Sequence, residues 1–259
     1  MIPALFIAHG SPLLAVEEDE YTAFLRQLGQ DLTRPQAIVL FSAHWEASVQ
    51  KVSRVKDYYS TIHDFEGFPH ALYQIKYPVQ GDDKIAEQVE SLLTAEAIPF
   101  EMEKSRGLDH GAWVVLARLY PHADVFVTAM SVNPHQTVEQ LYRIGKALKA
   151  LRENDVLIIA SGGTVHNLQT LAWQTNETDD WALEFDRWLE ERIMAWDLDS
   201  LYQYRTLAPN ASLAVPLNGT EHFVPLFYAM GAADNVRKAT LLYRSYRYGN
   251  LSHSVWRFG

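Results

Sequence analysis

Three apolar runs, far apart in the chain, each lead into a histidine, and few folds satisfy that pattern. Val156-Leu-Ile-Ile-Ala160 is continuous and β-branched, which suits a strand buried on both faces. Ser161-Gly162-Gly163 ends it with a tight turn and delivers His166 just beyond. Ala4–Ala8 likewise runs into His9-Gly10-Ser11-Pro12, and Ala37–Ala43 into His44-Trp45. In an open α/β sheet, ligands bind in the crevice beyond the carboxyl ends of the strands, so titratable groups sent there are candidate site residues. The simplest physical reason for three such strand ends is one shared site, and the pattern reads as a metal site.

The rest of the chain fits that frame. Apolar spacing predicts helices over 21–28, 82–97, 114–120, 137–154, 179–196 and 221–230, with Trp181, Phe185 and Trp188 inward on the fifth. His110 then falls at or just before a helix start, where backbone donors point outward. Further strands are expected within 47–56, near 99–103, over 124–131, and at 241–248 and 252–258. Residues 61–69 have neither period and read as a functional loop, and 197–218 follow no clear pattern. The alternation predicts an α/β fold with a central mixed or parallel sheet flanked by helices and the active site at the strand C-terminal ends.

Composition narrows the chemistry. No linker, repeat or composition break divides the 259 residues, so a single domain over 1–259 is expected. A formal net charge of −10 argues against nucleic acid as a partner. No apolar run reaches the ~18 residues that span a bilayer, and no basic leader precedes the first strand, so a cytoplasmic protein with no membrane partner is expected. No motif sets an oligomeric state. With no cysteine in the chain, any transition metal must be held by imidazole and carboxylate.

Of the ten histidines, His70, His122, His135 and His253 carry the ordinary reading of surface or satisfied core residues. His9 and His44 stand out by their strand-end positions. Glu221 and His222 are neighbours at a helix start, where adjacent side chains diverge, so one of the pair is expected as a third ligand. Two histidines and a carboxylate, or three histidines, leave open positions as in non-haem Fe(II) oxygenases, and the same set suits Zn(II) with an activated water. A further histidine off the metal would serve as general base. Ser11 and Ser161 fit turn or cap roles, Gly162-Gly163 a turn, and Asp64 and Glu66 solvated loop carboxylates. Trp45, Phe65, Phe68 and Trp113 adjoin the histidine motifs and are the expected pocket walls.

Six segments taken together carry a resemblance. His9-Gly-Ser-Pro12, Ser42-Ala-His-Trp45, Thr61-Ile-His-Asp-Phe-Glu-Gly-Phe-Pro69, Gly107-Leu-Asp-His-Gly-Ala-Trp113, Ala160-Ser-Gly-Gly-Thr-Val-His-Asn-Leu168 and Glu221-His-Phe-Val-Pro-Leu226 resemble, in order, the motifs of the DOPA-dioxygenase type of class III extradiol ring-cleavage enzymes. The resemblance implies a mononuclear metal, Fe(II) for activity, with Zn(II) in some isolated members. It implies His9, His44 and His222 as ligands, with Glu221 a rival for the third place. His166 would be base or fourth ligand, and His110 the acid or hydrogen-bond donor. His63, Trp45, Phe65 and Trp113 would meet the substrate, a catechol such as DOPA, which dioxygen opens to a semialdehyde-type product. If the substrate carries a carboxylate, Arg106 is a candidate partner, with a surface role as the alternative. A zinc hydrolase and a non-catalytic metal-binding module are the alternatives; a spare acid and base argue against the second.

Overall fold

The computed structural model describes residues 1–175 and 177–259. The strands are β1 (Ala4–Ala8), β2 (Ala37–Glu46), β3 (Gln50–Ser53), β4 (Phe100–Glu103), β5 (Phe126–Val132), β6 (Val156–Gly162), β7 (Ala239–Arg247) and β8 (Leu251–Phe258). They form one mixed sheet in the order β4-β3-β5-β2-β6-β1-β8-β7. Its centre, β5-β2-β6-β1, is parallel, and β8 closes antiparallel on β1 with β7 outside it.

The continuous apolar runs have a direct cause. Phe6, Val39, Phe41, Ile158 and Ala160 feed one core, and Leu5, Ile7, Ile38, Leu40 and Ile159 feed the other. Side chains alternate across the sheet and both faces are covered, so no position in these strands tolerates a polar residue without a partner. Helices α1 (Glu20–Asp31) and α3 (His110–Leu119) cover one face; α2 (Asp83–Ala95), α4 (Val138–Ala147), α5 (Asp180–Met194) and α10 (Pro225–Ala232) cover the other. Between α5 and α10 lie four helices of four or five residues: α6 (Leu198–Tyr202), α7 (Tyr204–Leu207), α8 (Ala211–Ala214) and α9 (Thr220–Phe223). Among the described residues no helix is long and apolar enough to cross a membrane.

Three expected helices differ in detail. The one over 137–154 stops at Ala147 and tightens into a 3₁₀ segment, Lys149–Asn154, beginning where Leu148 N–H bonds Gly145 O at 3.0 Å. The tightened turn buries Arg152, whose guanidinium donates to Ile2 O, Ala232 O and Phe258 O and ties the two chain ends together. In α5, Phe185 is buried as expected, but Trp181 and Trp188 are half-buried, and Ala182, Leu189 and Ile193 complete the core face. The helix over 221–230 breaks at Val224, because Pro225 has no N–H to continue the ladder and instead starts α10.

Candidate metal centre

Parallel register brings the strand-end histidines to one rim. Ala8 pairs with Gly162 and Ser42 with Ser161, so the residues that follow β1 and those that end β2 and β6 lie side by side. The α3 N-terminus closes over them. Asp109 caps it by accepting from Ala112 N–H at 3.2 Å and also takes the Ser42 hydroxyl at 2.5 Å, which locks the helix start to β2. Such a cap is worth about 1 kcal/mol. Gly10 has φ +56°, and a Cβ there would lie 2.5 Å from His253 Nε2, so the turn after His9 needs glycine.

At the rim three imidazole nitrogens converge. His9 Nε2 and His44 Nε2 are 3.0 Å apart, and His44 Nε2 and His222 Nε2 are 3.3 Å apart. The other ring atoms decide which nitrogens carry protons. The Ser161 hydroxyl donates to Gly111 O at 2.5 Å, so its oxygen accepts from His9 Nδ1–H at 3.0 Å. His222 Nδ1 donates to Glu221 Oε1 at 2.8 Å. His44 Nδ1 faces Asp64 Oδ2 at 3.4 Å. His9 and His222 therefore turn Nε2 lone pairs toward His44 Nε2, and the Asp64 carboxylate beside His44 Nδ1 favours the same tautomer there. Burial, and then repulsion among the imidazoles, pushes the pKa of each well below the ordinary histidine value, so all three are neutral, the form that binds a metal. Lone pairs this close repel unless a cation lies between them, and separations near 3 Å suit ligands of one ion at about 2.0–2.1 Å.

A second triplet, His9, His44 and His110, has ligand atoms within 4.8 Å of one another. His110 Nδ1 comes within 3.1 Å of Asp64 Oδ1 without the alignment of a hydrogen bond, while its backbone N–H donates to the same oxygen at 2.8 Å. Burial opposes charge on Asp64, but its contacts with His110 and His44 outweigh that and hold its carboxyl below the usual range. His166 lies flat against His222, ring centres 3.6 Å apart and planes 6° apart. Its pKa is lowered by burial first and His222 second, so it is neutral.

Five histidines, His9, His44, His110, His166 and His222, line a cavity of about 300 Å³ whose other walls include Phe65, Phe68, Leu168, Leu171 and Trp173. Of the expected substrate-facing residues the structure brings only Phe65, and with it Phe68, to this cavity; His63, Trp45 and Trp113 lie outside its lining. Trp113 is fully buried and donates from Nε1 to Ile62 O, Trp45 packs under the Arg106 guanidinium, and His63 Nε2 bonds Ile75 O. The two indoles gain more from core packing than from a solvated cleft, a preference that sequence adjacency to a histidine does not reveal. Arg106 is also diverted: it donates to His44 O and Asp109 Oδ2, both at 3.1 Å, and so braces the site from behind. Asp64 is an exposed loop residue, as expected, but its carboxylate also reaches His44 and His110, and Ser161 orients His9 rather than only turning the chain. His253 is fully buried, stacked on Tyr21 with neither ring nitrogen hydrogen-bonded, so it belongs to the core but is not a satisfied residue. Leu168, Leu171, Trp173, Tyr248 and Leu251 had no sequence signal as pocket walls; each lies outside the histidine motifs or at their edge.

Fold and site together define a metal enzyme with its centre at the rim of a doubly covered α/β sheet. Residues 3–258 match the family described as the catalytic LigB subunit of aromatic ring-opening dioxygenase, and the chain belongs to that family. It is 38% identical to the 4,5-DOPA dioxygenase extradiol of Beta vulgaris over 98% of this chain and 95% of that protein. It is 35% identical to the protein of the same name from Escherichia coli (strain K12), over 97% of this chain and 92% of the other. The crystal structure of an uncharacterized protein from Escherichia coli K12 superposes over the whole of both chains with a TM-score of 0.85 at 30% identity.

Proposed function

We propose that this protein is an extradiol dioxygenase that opens the ring of a catechol, DOPA or a close relative, with Fe(II) held by His9, His44 and His222. The observation that carries the ligand set is the convergence of three neutral Nε2 lone pairs, each oriented from behind by Ser161, Asp64 or Glu221. Carboxylate or hydroxyl partners of this kind fix the tautomer of metal-binding imidazoles. Glu221 is engaged at His222 Nδ1, which favours His222 over Glu221 as third ligand. Fe(II) would supply open coordination positions and the redox chemistry that couples a catechol to dioxygen; Zn(II) fits the same donors but cannot change oxidation state.

The chain's own residues supply the rest. His166, neutral and outside the converging set, accepts a catechol hydroxyl proton. His110, held by Asp64 beside His44, donates a hydrogen bond to the reacting oxygens. Phe65, Phe68, Leu168, Leu171 and Trp173 hold the ring. Both atoms of dioxygen enter the product, a semialdehyde acid. The test is oxygen uptake by anaerobically Fe(II)-reconstituted protein given L-DOPA and simple catechols, with absorbance followed for the ring-opened product. Uptake coupled to a yellow product is expected; no uptake with any catechol at stoichiometric iron overturns the reading.

A further inference from the structure

The stacked pair His166 and His222, with Leu168, forms a wall shared by two cavities. On one side is the histidine-lined chamber, which has no Lys, Arg, Asp or Glu in its lining. A catechol whose side chain carries a charge finds no charged partner for it there. On the other side is a larger chamber of about 720 Å³, lined by Asn167, Gln169, Arg205, Asn218 and Glu221 among others. Leu168 borders both and is 63% exposed, so a side chain leaving the apolar chamber over it enters the polar one.

Arg205 differs from the other arginines that line cavities. Arg54 is paired with Asp83, Arg106 with Asp109, and Arg247 with Glu17 and Asp19. Arg205 has no carboxylate partner among the described residues. It donates to Thr220 Oγ1 at 2.6 Å and to Val215 O at 3.3 Å, which leaves donors of its five N–H groups unused. Thr220 starts α9, the helix that carries His222, so this guanidinium is tied to the same short element as the third proposed ligand. Glu221, the other charged group of the chamber, accepts from His222 Nδ1 through one oxygen; the second oxygen leaves an acceptor for an ammonium group.

We infer that the second chamber recognises the charged end of the substrate, with Arg205 as the partner of a carboxylate on the catechol's side chain. The inference rests on the ring-opening reading for the place of the catechol ring. It makes Arg205 the residue that separates catechols with an acidic or amino-acid side chain from uncharged or purely cationic ones. A planar guanidinium matches a carboxylate through two parallel hydrogen bonds, a geometry that lysine does not reproduce.

The experiment compares the protein as made with Arg205→Gln and Arg205→Lys on four catechols: L-DOPA, 3,4-dihydroxyphenylpropanoate, dopamine and 4-methylcatechol. With Fe(II) loaded, Arg205→Gln is expected to lower kcat/KM for the two carboxylates by about 10–100-fold, chiefly through KM, the loss expected of a charged hydrogen-bond pair. Dopamine and 4-methylcatechol should stay near their original values, and Arg205→Lys should recover part of the loss. An equal loss on all four substrates would mean that Arg205 only props Thr220 and Val215, and overturns the inference; so does no loss on any. Calorimetric binding of the same compounds to Zn(II)-loaded protein needs no turnover. Weaker binding of the carboxylates alone in Arg205→Gln supports the assignment even if no catechol is opened, whereas unchanged preference among the four overturns it.

Discussion

The two halves of the site are held by different physics. One half, His9, His44 and Ser161, stands on β1, β2 and β6, whose parallel ladders and two buried faces fix every backbone atom. The other half, Arg205, Glu221 and His222, stands on α7 and α9, helices of four residues each, far too short to persist alone. What keeps them in place is packing of Leu201, Tyr204, Ala211, Ala214 and Phe223 on the core and a few bonds to the sheet side, among them Gly163 N–H to His222 O at 2.7 Å and His166 N–H to Ala214 O at 3.0 Å. Contact there is so close that a Cβ at Gly162 would lie 2.2 Å from His222 O. The comparison teaches that the sheet can preorganise two of the proposed ligands, while the third depends on a segment that gains its shape from the fold around it.

The sharpest way to break this comparison is to remove a residue from each role. His44→Ala should lose iron and all dioxygenase activity, whereas His166→Ala should keep stoichiometric iron and lose about 10²–10⁴-fold in turnover, as a general base does. Iron retained by His44→Ala, measured by metal analysis, would remove the strand half from the ligand set. Next come the groups behind the ligands. Ser161→Ala on the sheet side and Glu221→Ala on the helical side should each weaken metal binding by about 10–100-fold, read by competition with a chelator; an effect of Ser161→Ala alone would mean that Glu221 does not orient a ligand.

Metal removal tests the stability difference itself. Chelated protein should exchange backbone amides faster over 198–223, with β1, β2 and β6 barely changed, because only the sheet half is held without the ion. Equal acceleration in both halves would erase the distinction. The smallest effect concerns His253, packed behind the Gly10 turn of the sheet half and pushed down to about 3 by burial first. Below the ordinary histidine pKa the unfolded chain takes up a proton that the folded chain refuses until pH falls to about 3. Stability therefore falls with pH across that window, by up to about 1.4 kcal/mol per pH unit from this one group. Urea unfolding of metal-free His253→Leu should show a shallower acid slope than the parent; the same slope would mean that burial does not hold this imidazole neutral.

Much of the sheet half was legible in the residues. Unbroken β-branched runs mark doubly buried strands, and histidines directly after them land on the rim because parallel strands share a direction. The helix start near His110 was readable from the apolar stretch beyond it. The helical half was not. Residues 197–218 have no period because their helices are only four or five residues long, too short to repeat a 3.6-residue pattern, and Arg205 sits among them without any neighbouring signal. Trp45 and Trp113 misled for a related reason: nearness in sequence to a histidine says nothing about which side of a wall a ring occupies.

By itself the sequence determined the strands, the chemical type of the ligands, since imidazole and carboxylate are all that a chain without cysteine offers a transition metal, and the family, through six motifs in order. Tertiary structure alone decided that His222 Nε2 meets His44 while Glu221 turns to His222 Nδ1, that Trp45 and Trp113 enter the core, and that Arg205 faces the neighbouring chamber. Strand identity is written in local alternation and side-chain branching. Convergence of side chains depends on packing between elements far apart in the chain, which no local pattern encodes.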